Sequence, residues 1–175
     1  ISCGYDFTVC LNHEGIMWSF GYNTFGQLGV GNKQNQTQAQ QIKGIPPVEL
    51  ISCGYYHTLC VTHDSNLWSF GNNQCGELGL GNQTDEISPK QTRWNEIQMI
   101  SAGCYFSMFQ KTNGQILVCG YNVYGQLGLG HDKCTEIEVQ PILNQLDGIV
   151  SFCSGSNHSL FLTQDGIVYS VGYNG

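Results

Sequence analysis

The sequence predicts an all-β protein built from small antiparallel sheets that repeat along the chain. The tetrapeptide Ile1–Gly4 returns unchanged at 51–54 and, with one substitution, at 100–103, and a looser copy ends at Gly155. A second landmark glycine recurs with the same steps of 50, 49 and 52 residues, at Gly21, Gly71, Gly120 and Gly172. Helical periodicity is absent from all copies. A fixed period of this length is typical of solenoids and propellers, whose neighbouring repeats bury a shared core.

These landmarks divide the chain into repeats. We expect one domain over residues 1–175, with repeats at 1–50, 51–99 and 100–150 and an incomplete copy at 151–175. The sequence begins and ends inside the pattern and has no initiator Met, so we expect it to be a piece of a longer protein.

Each repeat contains four strand signals in the same order. In the second repeat, Glu49–Ser52 precedes the first glycine, and the apolar runs 58–61 and 67–70 flank a polar turn. Asn-Gly and Asp-Gly pairs occupy the equivalent turn in later repeats and favour tight hairpins. The fourth strand is predicted near 39–42, 89–92 and 139–142, where Pro89 and Pro141 suit an edge position. Four short antiparallel strands per repeat predict propeller blades around a central channel.

Charge excludes several classes of partner. The chain has 13 Asp+Glu against 6 Lys+Arg, a net charge of −7, and no cluster of basic residues. Direct nucleic-acid binding depends on neutralising phosphates, and membrane-surface binding depends on polybasic segments. No apolar run approaches the length of a membrane span. We therefore expect another protein as the partner, and neither nucleic acid nor a membrane.

The nine cysteines are predicted to be packing residues. Cys3 and Cys53 share a position that holds Ala102 in the third repeat, and a small buried hydrophobe explains all three. Free thiols are typical of a reducing compartment, so an intracellular, cytoplasmic or nuclear location is expected. Metal binding is the alternative, but no Cys-x-x-Cys pair is present. We predict no metal and no cofactor.

A glycine-rich loop follows the second landmark in each full repeat, with the pattern G-x-N-x-x-G-[QE]-L-G-[VL]-G. A phosphate-binding loop would need Gly-Lys-Ser/Thr or a following helix, and neither is predicted here. We interpret the loop as structural: glycines supply unusual backbone angles, Asn binds loop backbone and Leu fills the space between blades. The residues are Gly21, Asn23, Gly26, Leu28, Gly29, Gly71, Asn73, Gly76, Leu78, Gly79, Gly120, Asn122, Gly125, Leu127 and Gly128.

Taken with [IV]-S-C-G-x-x-[HF]-[TS] and an aromatic-Ser-aromatic-Gly strand, this loop resembles the regulator of chromosome condensation repeat family. The resemblance covers nearly the whole chain. It implies a seven-bladed propeller with one repeat per blade, of which this chain supplies about half. The remaining blades would come from the same longer chain or from a second copy.

The turns after each first glycine are predicted to form a partner-binding face. They vary between copies while the scaffold is kept, and tyrosine is enriched at binding hot spots. The alternative is that these aromatic residues pack over the blade ends. The predicted face comprises Tyr5, Asp6, Tyr55, Tyr56, His57, Tyr105, Phe106, Asn157 and His158.

No catalytic constellation is recognised, so we predict an interaction scaffold and not an enzyme. The alternative that the resemblance implies is guanine-nucleotide exchange on a small GTPase. The even repeat lengths leave no room for an inserted wedge, and Asp6 is the one acid in the predicted face. A third alternative, light sensing by one branch of the family, lacks its Trp and Arg in the slot after Gly4 and Gly54. A fused catalytic domain outside this segment is compatible with the sequence.

Overall fold

A computed structural model describes residues 1–142 and 148–175 and shows fifteen β-strands and no helix in that part of the chain. No helix in those residues is long and apolar enough to cross a membrane. The strands are β1 (Ser2–Cys3), β2 (Phe7–Leu11), β3 (Met17–Gly21), β4 (Gln36–Gln41), β5 (Val48–Cys53), β6 (His57–Thr62), β7 (Leu67–Gly71), β8 (Glu86–Gln91), β9 (Ile97–Ala102), β10 (Phe106–Lys111), β11 (Ile116–Tyr121), β12 (Thr135–Pro141), β13 (Ile149–Ser154), β14 (His158–Thr163) and β15 (Val168–Gly172).

The strands form four separate antiparallel sheets, each in sequence order. Blades 1, 2 and 3 are β1–β4, β5–β8 and β9–β12, and blade 4 contains β13–β15. The all-β prediction is confirmed. The fourth strand of each full blade begins earlier than the apolar pattern indicated, because it is a polar edge strand: β8 starts at Glu86, opposite Gly71, and ends at Gln91, opposite Trp68.

In the described part of the chain, the hydrophobic core consists of three clusters, each shared by two neighbouring blades. A blade is a thin sheet, so its apolar residues are removed from water by the next blade and not by their own sheet. The clusters centre on Val9, Met17, Val48 and Phe70 between blades 1 and 2, on Val61, Leu67, Ile97 and Phe109 between blades 2 and 3, and on Met108, Val118, Phe152 and Phe161 between blades 3 and 4.

Polar side chains join the blades as well. The hydroxyl of Ser2 accepts the Cys53 N–H at 3.0 Å, and Ser52 accepts the Ala102 N–H at the same distance. Ser101 accepts the Ser154 N–H at 2.8 Å. The repeated Ser therefore satisfies, in each case, a backbone donor of the next blade.

The blades at the two ends of the chain have one open face. The strands β6 and β10 are buried on both faces, whereas β2 and β14 alternate between buried and more exposed residues. Phe20 in blade 1 is 36% exposed, while its counterpart Phe70 in blade 2 is fully buried. The uncovered faces are apolar surfaces that a further blade would cover.

Candidate functional site

The candidate site is the end of the blades where each first-glycine turn lies beside the glycine-rich loop, here called the loop face. Gly71 makes this arrangement possible: its φ is +108°, and a Cβ there would lie 2.5 Å from the Tyr56 carbonyl oxygen. That carbonyl accepts the Asn72 N–H at 2.9 Å. The same bond joins Tyr22 to Asp6, Tyr121 to Tyr105 and Tyr173 to Asn157, each at 2.8 Å. Every blade therefore presents one residue of its turn next to one residue of its loop.

Tyrosines from three blades meet on this face, and we call Tyr5, Tyr55, Tyr56 and Tyr105 the tyrosine patch. The rings of Tyr5 and Tyr55 stack with centroids 4.1 Å apart, and Tyr55 meets Tyr56 edge-on at 5.0 Å. Tyr105 lies 5.8 Å from Tyr55 and 6.1 Å from Tyr56. Burial among these groups raises the pKa of Tyr55 and of Tyr105 to about 12. The patch is thus an uncharged aromatic surface that carries hydroxyl groups.

Two residues of the predicted face do not reach the surface, which corrects their assignment. His57 and Phe106 are fully buried, because each ring folds back under its own turn into the space left by a glycine. A Cβ on Gly54 would lie 2.2 Å from His57 Cε1, and one on Gly103 would lie 2.0 Å from Phe106 Cε1. These rings support the turns that carry Tyr55 and Tyr105.

The buried imidazole of His57 also links two blades. Ser107 donates its hydroxyl hydrogen to the Glu77 carbonyl at 2.6 Å, so the His57 Nε2–H donates to Ser107 Oγ at 3.0 Å. Burial lowers the pKa of His57 to about 3, which keeps the ring neutral. Of the remaining predicted face residues, Asp6 is exposed and Asn157 is half-buried. The ring of His158 lies under its own turn as that of His57 does, with a Cβ on Gly155 only 2.3 Å from its Cε1, and it is exposed on the open side of blade 4.

A buried asparagine organises each glycine-rich loop. The Asn73 Oδ1 accepts the Leu78 N–H at 2.9 Å, and its Nδ2 donates to the carbonyls of Asn82 and Thr84 at 3.0 and 3.1 Å. Asn23 makes the equivalent contacts in blade 1. Leu28, Leu78 and Leu127 are fully buried beside them. The side-chain amide therefore supplies hydrogen bonds to the loop backbone, which has no neighbouring strand to supply them.

One position of the loop is occupied by Gln27, Glu77 and Gln126 in successive blades, all fully buried. In each case a side-chain oxygen accepts the N–H two residues earlier, at 3.0, 2.8 and 3.0 Å. The other polar side-chain atom of each residue, Nε2 in the two glutamines and Oε1 in Glu77, has no hydrogen-bond partner within the described residues. Burial raises the pKa of the Glu77 carboxyl to about 7, so that its protonated form mimics the glutamine.

A cavity of about 420 Å³ opens on the loop face, and the sequence had not predicted it. It exists because blade 2 carries Asn72 and Cys75 where blade 1 has Tyr22 and Phe25 and blade 3 has Tyr121 and Tyr124. In blade 1 the equivalent space is filled by the ring of Tyr56, whose centroid lies 4.9 Å from that of Phe25 and 5.9 Å from that of Tyr22. The signal that could have found the cavity is this variation between aligned repeats. Its lining is Phe25, Asn72, Gln74, Cys75, Cys104, Tyr105, Tyr121, Tyr124 and Asn157.

Known sequences show what the chain is similar to. The family described as the regulator of chromosome condensation (RCC1) repeat matches residues 14–61, 64–110 and 113–162, and a second description of that repeat matches 48–77. The serine/threonine-protein kinase Nek9 of Xenopus laevis is 45% identical over 42 residues, which is 24% of this chain and 4% of the kinase.

Solved structures share the fold. Human WBSCR16 superposes with a TM-score of 0.85 at 21% identity, covering 98% of this chain and 46% of that one. Yeast RCC1 (Prp20), solved bound to Kap60, gives 0.85 at 19% identity, covering 96% and 40%. A second structure, of Prp20p from Saccharomyces cerevisiae, described with its binding properties to Gsp1p and histones, gives 0.84 at 20%, covering 96% and 42%. The chain thus spans less than half the length of these propellers.

Proposed function

This chain belongs to the regulator of chromosome condensation repeat family, and from that premise we propose that it is a protein-interaction scaffold that binds its partner through the loop face. The observation that carries the proposal is the tyrosine patch. Tyr5 is 56% exposed although its ring stacks on Tyr55 at 4.1 Å. Rigid aromatic side chains that are already packed against one another lose little conformational entropy when a partner covers them.

The fold supplies the rigidity that such a surface needs. Each tyrosine of the patch stands on a turn whose backbone is fixed by a glycine and by a hydrogen bond to the neighbouring loop. Recognition residues on short loops of a rigid scaffold are typical of propellers and other binding modules. All nine cysteines of the chain are free, which is compatible with the intracellular location proposed for it.

The test compares capture of partners by the full-length protein and by variants of the patch. We expect Tyr55→Ala, Tyr56→Ala and Tyr105→Ala each to reduce capture, measured by quantitative mass spectrometry of copurified proteins, by about tenfold or more. Gln91→Ala is the control, since Gln91 is an exposed residue of the edge strand β8 in blade 2, which already has a neighbouring blade on each side. Loss of capture that parallels a loss of thermal stability would show that the patch tyrosines act structurally.

The second candidate function is guanine-nucleotide exchange on a small GTPase. It is favoured by the fold shared with Prp20p, whose solved structure is described with its binding to Gsp1p. Asp6, which is exposed and follows Tyr5 in the same turn, would be the acid that the loop face contributes. Release of a fluorescent nucleotide from a panel of small GTPases, measured with the full-length protein, decides between exchange and simple binding.

A further inference from the structure

The cavity on the loop face has a lining whose chemistry is specific. Phe25 and Tyr105 contribute aromatic rings from blades 1 and 3, and Tyr121 and Tyr124 contribute two more from the loop of blade 3. The rings of Tyr121 and Tyr124 meet edge-on at 6.3 Å, and Tyr173 supports Tyr124 from blade 4 at 5.0 Å. Aromatic faces carry negative electrostatic potential, so several of them around one cavity attract a cation.

Among the described residues, no basic side chain lines the cavity: the lining contains no Lys, Arg or His. Lys33 and Lys133, which follow the glycine-rich loops of blades 1 and 3, form ion pairs with Asp85 at 3.0 Å and with Glu136 at 3.3 Å. The chain as a whole carries a net charge of −7. The surroundings of the cavity therefore favour a positive ligand.

The polar part of the lining indicates which cation fits. Asn72, Gln74 and Asn157 place side-chain amides around the cavity, and amide oxygens accept hydrogen bonds from N–H donors. Burial raises the pKa of the Cys75 thiol to about 12 and raises that of Cys104, so both thiols are neutral. A guanidinium group offers five N–H donors and a flat face that stacks on aromatic rings. A volume of about 420 Å³ admits such a side chain.

We propose that this cavity is a binding site for an arginine side chain of the partner protein. The proposal rests on the proposed function and names the chemistry of the partner at one position. The tyrosine patch contributes Tyr105 to the site, and the guanidinium lies among the rings of Phe25, Tyr105, Tyr121 and Tyr124 while the amides of the lining accept its hydrogens.

The experiment titrates the full-length protein with two blocked peptides, acetyl-Gly-Arg-Gly-amide and the same peptide with neutral citrulline in place of arginine. Saturation-transfer NMR reports binding of each. We expect the arginine peptide to bind about tenfold more tightly than its citrulline isostere, because the shape is conserved and only the charge is removed. Equal binding of the two peptides, or binding of neither, overturns the proposal.

Two variants locate the site, and one serves as a control. Tyr124→Leu keeps an apolar wall without the aromatic face, so we expect about threefold to tenfold weaker arginine binding and unchanged citrulline binding. Cys75→Phe introduces the residue that blade 1 carries at this position and fills the cavity, so binding of the arginine peptide is lost. The control is Gln91→Ala: Gln91 is an exposed residue of the edge strand β8, outside both the tyrosine patch and the lining, and its replacement leaves peptide binding unchanged.

These variants separate the two proposals. If Tyr55→Ala reduces partner capture while Cys75→Phe leaves arginine binding intact, the scaffold function stands and the arginine site is wrong. If the peptide binds as expected but no patch variant changes partner capture, the scaffold function fails while the cavity is still a cation site. Thermal melting of each variant within a few degrees of the parent chain confirms that the fold is retained.

Discussion

At the scale of single residues, one position of the glycine-rich loop shows how burial sets the energetic cost of an ionisable side chain. The loop position held by Gln27 and Gln126 is Glu77 in blade 2, and all three side chains are fully buried. A glutamine is neutral at every pH, whereas a glutamate fits this position only when it is protonated. Blade 2 therefore carries a titratable carboxyl group at a loop position where blades 1 and 3 carry a neutral amide.

Replacing Glu77 by glutamine should stabilise the protein in a pH-dependent way. Burial raises the pKa of this carboxyl from 4.5 to about 7, so the folded state holds the proton more tightly than the unfolded state. The free energy of unfolding consequently falls as pH rises from about 4.5 to about 7, and the loss is complete above that range. We expect Glu77→Gln to raise the free energy of unfolding by about 2–3 kcal/mol near pH 8 and by about 0.5 kcal/mol or less near pH 4.5.

Urea unfolding of the full-length protein at the two pH values measures this difference. Gln27→Glu is the converse control, because it places a carboxyl in the same loop position of blade 1, and it should destabilise the protein most at high pH. A pH-independent effect of Glu77→Gln would show that the pKa of the carboxyl does not differ between the folded and the unfolded protein.

His57 gives a second test at this scale. Phe occupies the same slot in blades 1 and 3 as Phe7 and Phe106, and His57 is fully buried and neutral. We expect His57→Phe to change the free energy of unfolding by about 1 kcal/mol or less, while His57→Ala, which leaves a cavity under the turn, costs about 2–4 kcal/mol. Thermal unfolding compares the two variants. Equal destabilisation would mean that the hydrogen bond to Ser107, and not the packing of the ring, determines the stability of this slot.

At the scale of the elements, the amino-acid pattern predicted the strands far better than it predicted which side chains lie at the surface. Apolar alternation and landmark glycines predicted four strands per blade, because both depend on local geometry. Whether the first residue of a strand is buried depends on contacts across its own turn and with the neighbouring blade. His57 and Phe106 therefore could not be assigned to the interior from strand periodicity, although Gly54 and Gly103 three residues earlier marked the space that their rings fill. The cavity depends on residues of all four blades and was missed for the same reason.

Among the contacts between blades, the one made by the Ser52 hydroxyl allows the most direct prediction of what its removal costs in stability. Ser52→Ala removes the acceptor for the Ala102 N–H and leaves that half-buried donor without its partner. We expect the free energy of unfolding to fall by about 1–3 kcal/mol, measured by urea unfolding. Ser88→Ala is the matched control, since Ser88 is an exposed residue of the edge strand β8. An equal effect of the two substitutions would show that the bond between blades 2 and 3 contributes nothing specific.

At the scale of the whole molecule, neighbouring blades bury each other's apolar residues. The three core clusters are shared between neighbours, and the outer faces of blades 1 and 4 have no such cover. Blade 4 exposes Leu162, Ile167 and Val168, which are 37%, 51% and 61% exposed. We propose that further blades, from the same longer chain or from a second copy, close these faces. Light scattering of the isolated 175-residue chain should then show association, and a stable monomer would count against the proposal.

The cysteines provide a chemical probe of the covered and open faces. Cys10 in β2 and Cys60 in β6 occupy equivalent positions, but Cys10 is half-buried on the open face of blade 1 and Cys60 is fully buried. Burial also raises the pKa of the Cys60 thiol, which makes it still less reactive. If a further blade covers β2 in the full-length protein, Cys10 should become as slow to react with iodoacetamide as Cys60 is.

Peptide mapping by mass spectrometry after timed alkylation measures both thiols in one sample. In the isolated chain, diluted until light scattering shows a monomer, we expect Cys10 to react faster than Cys60 by about tenfold or more, because unfolding is not required to expose it. In the full-length protein the two rates should converge, while the exposed Cys134 reacts quickly in both samples and controls for the reagent. Fast alkylation of Cys10 in the full-length protein would mean that blade 1 ends the propeller with an open face. The repeated sheets would then form an open arc, whose stability must come from the three shared clusters alone.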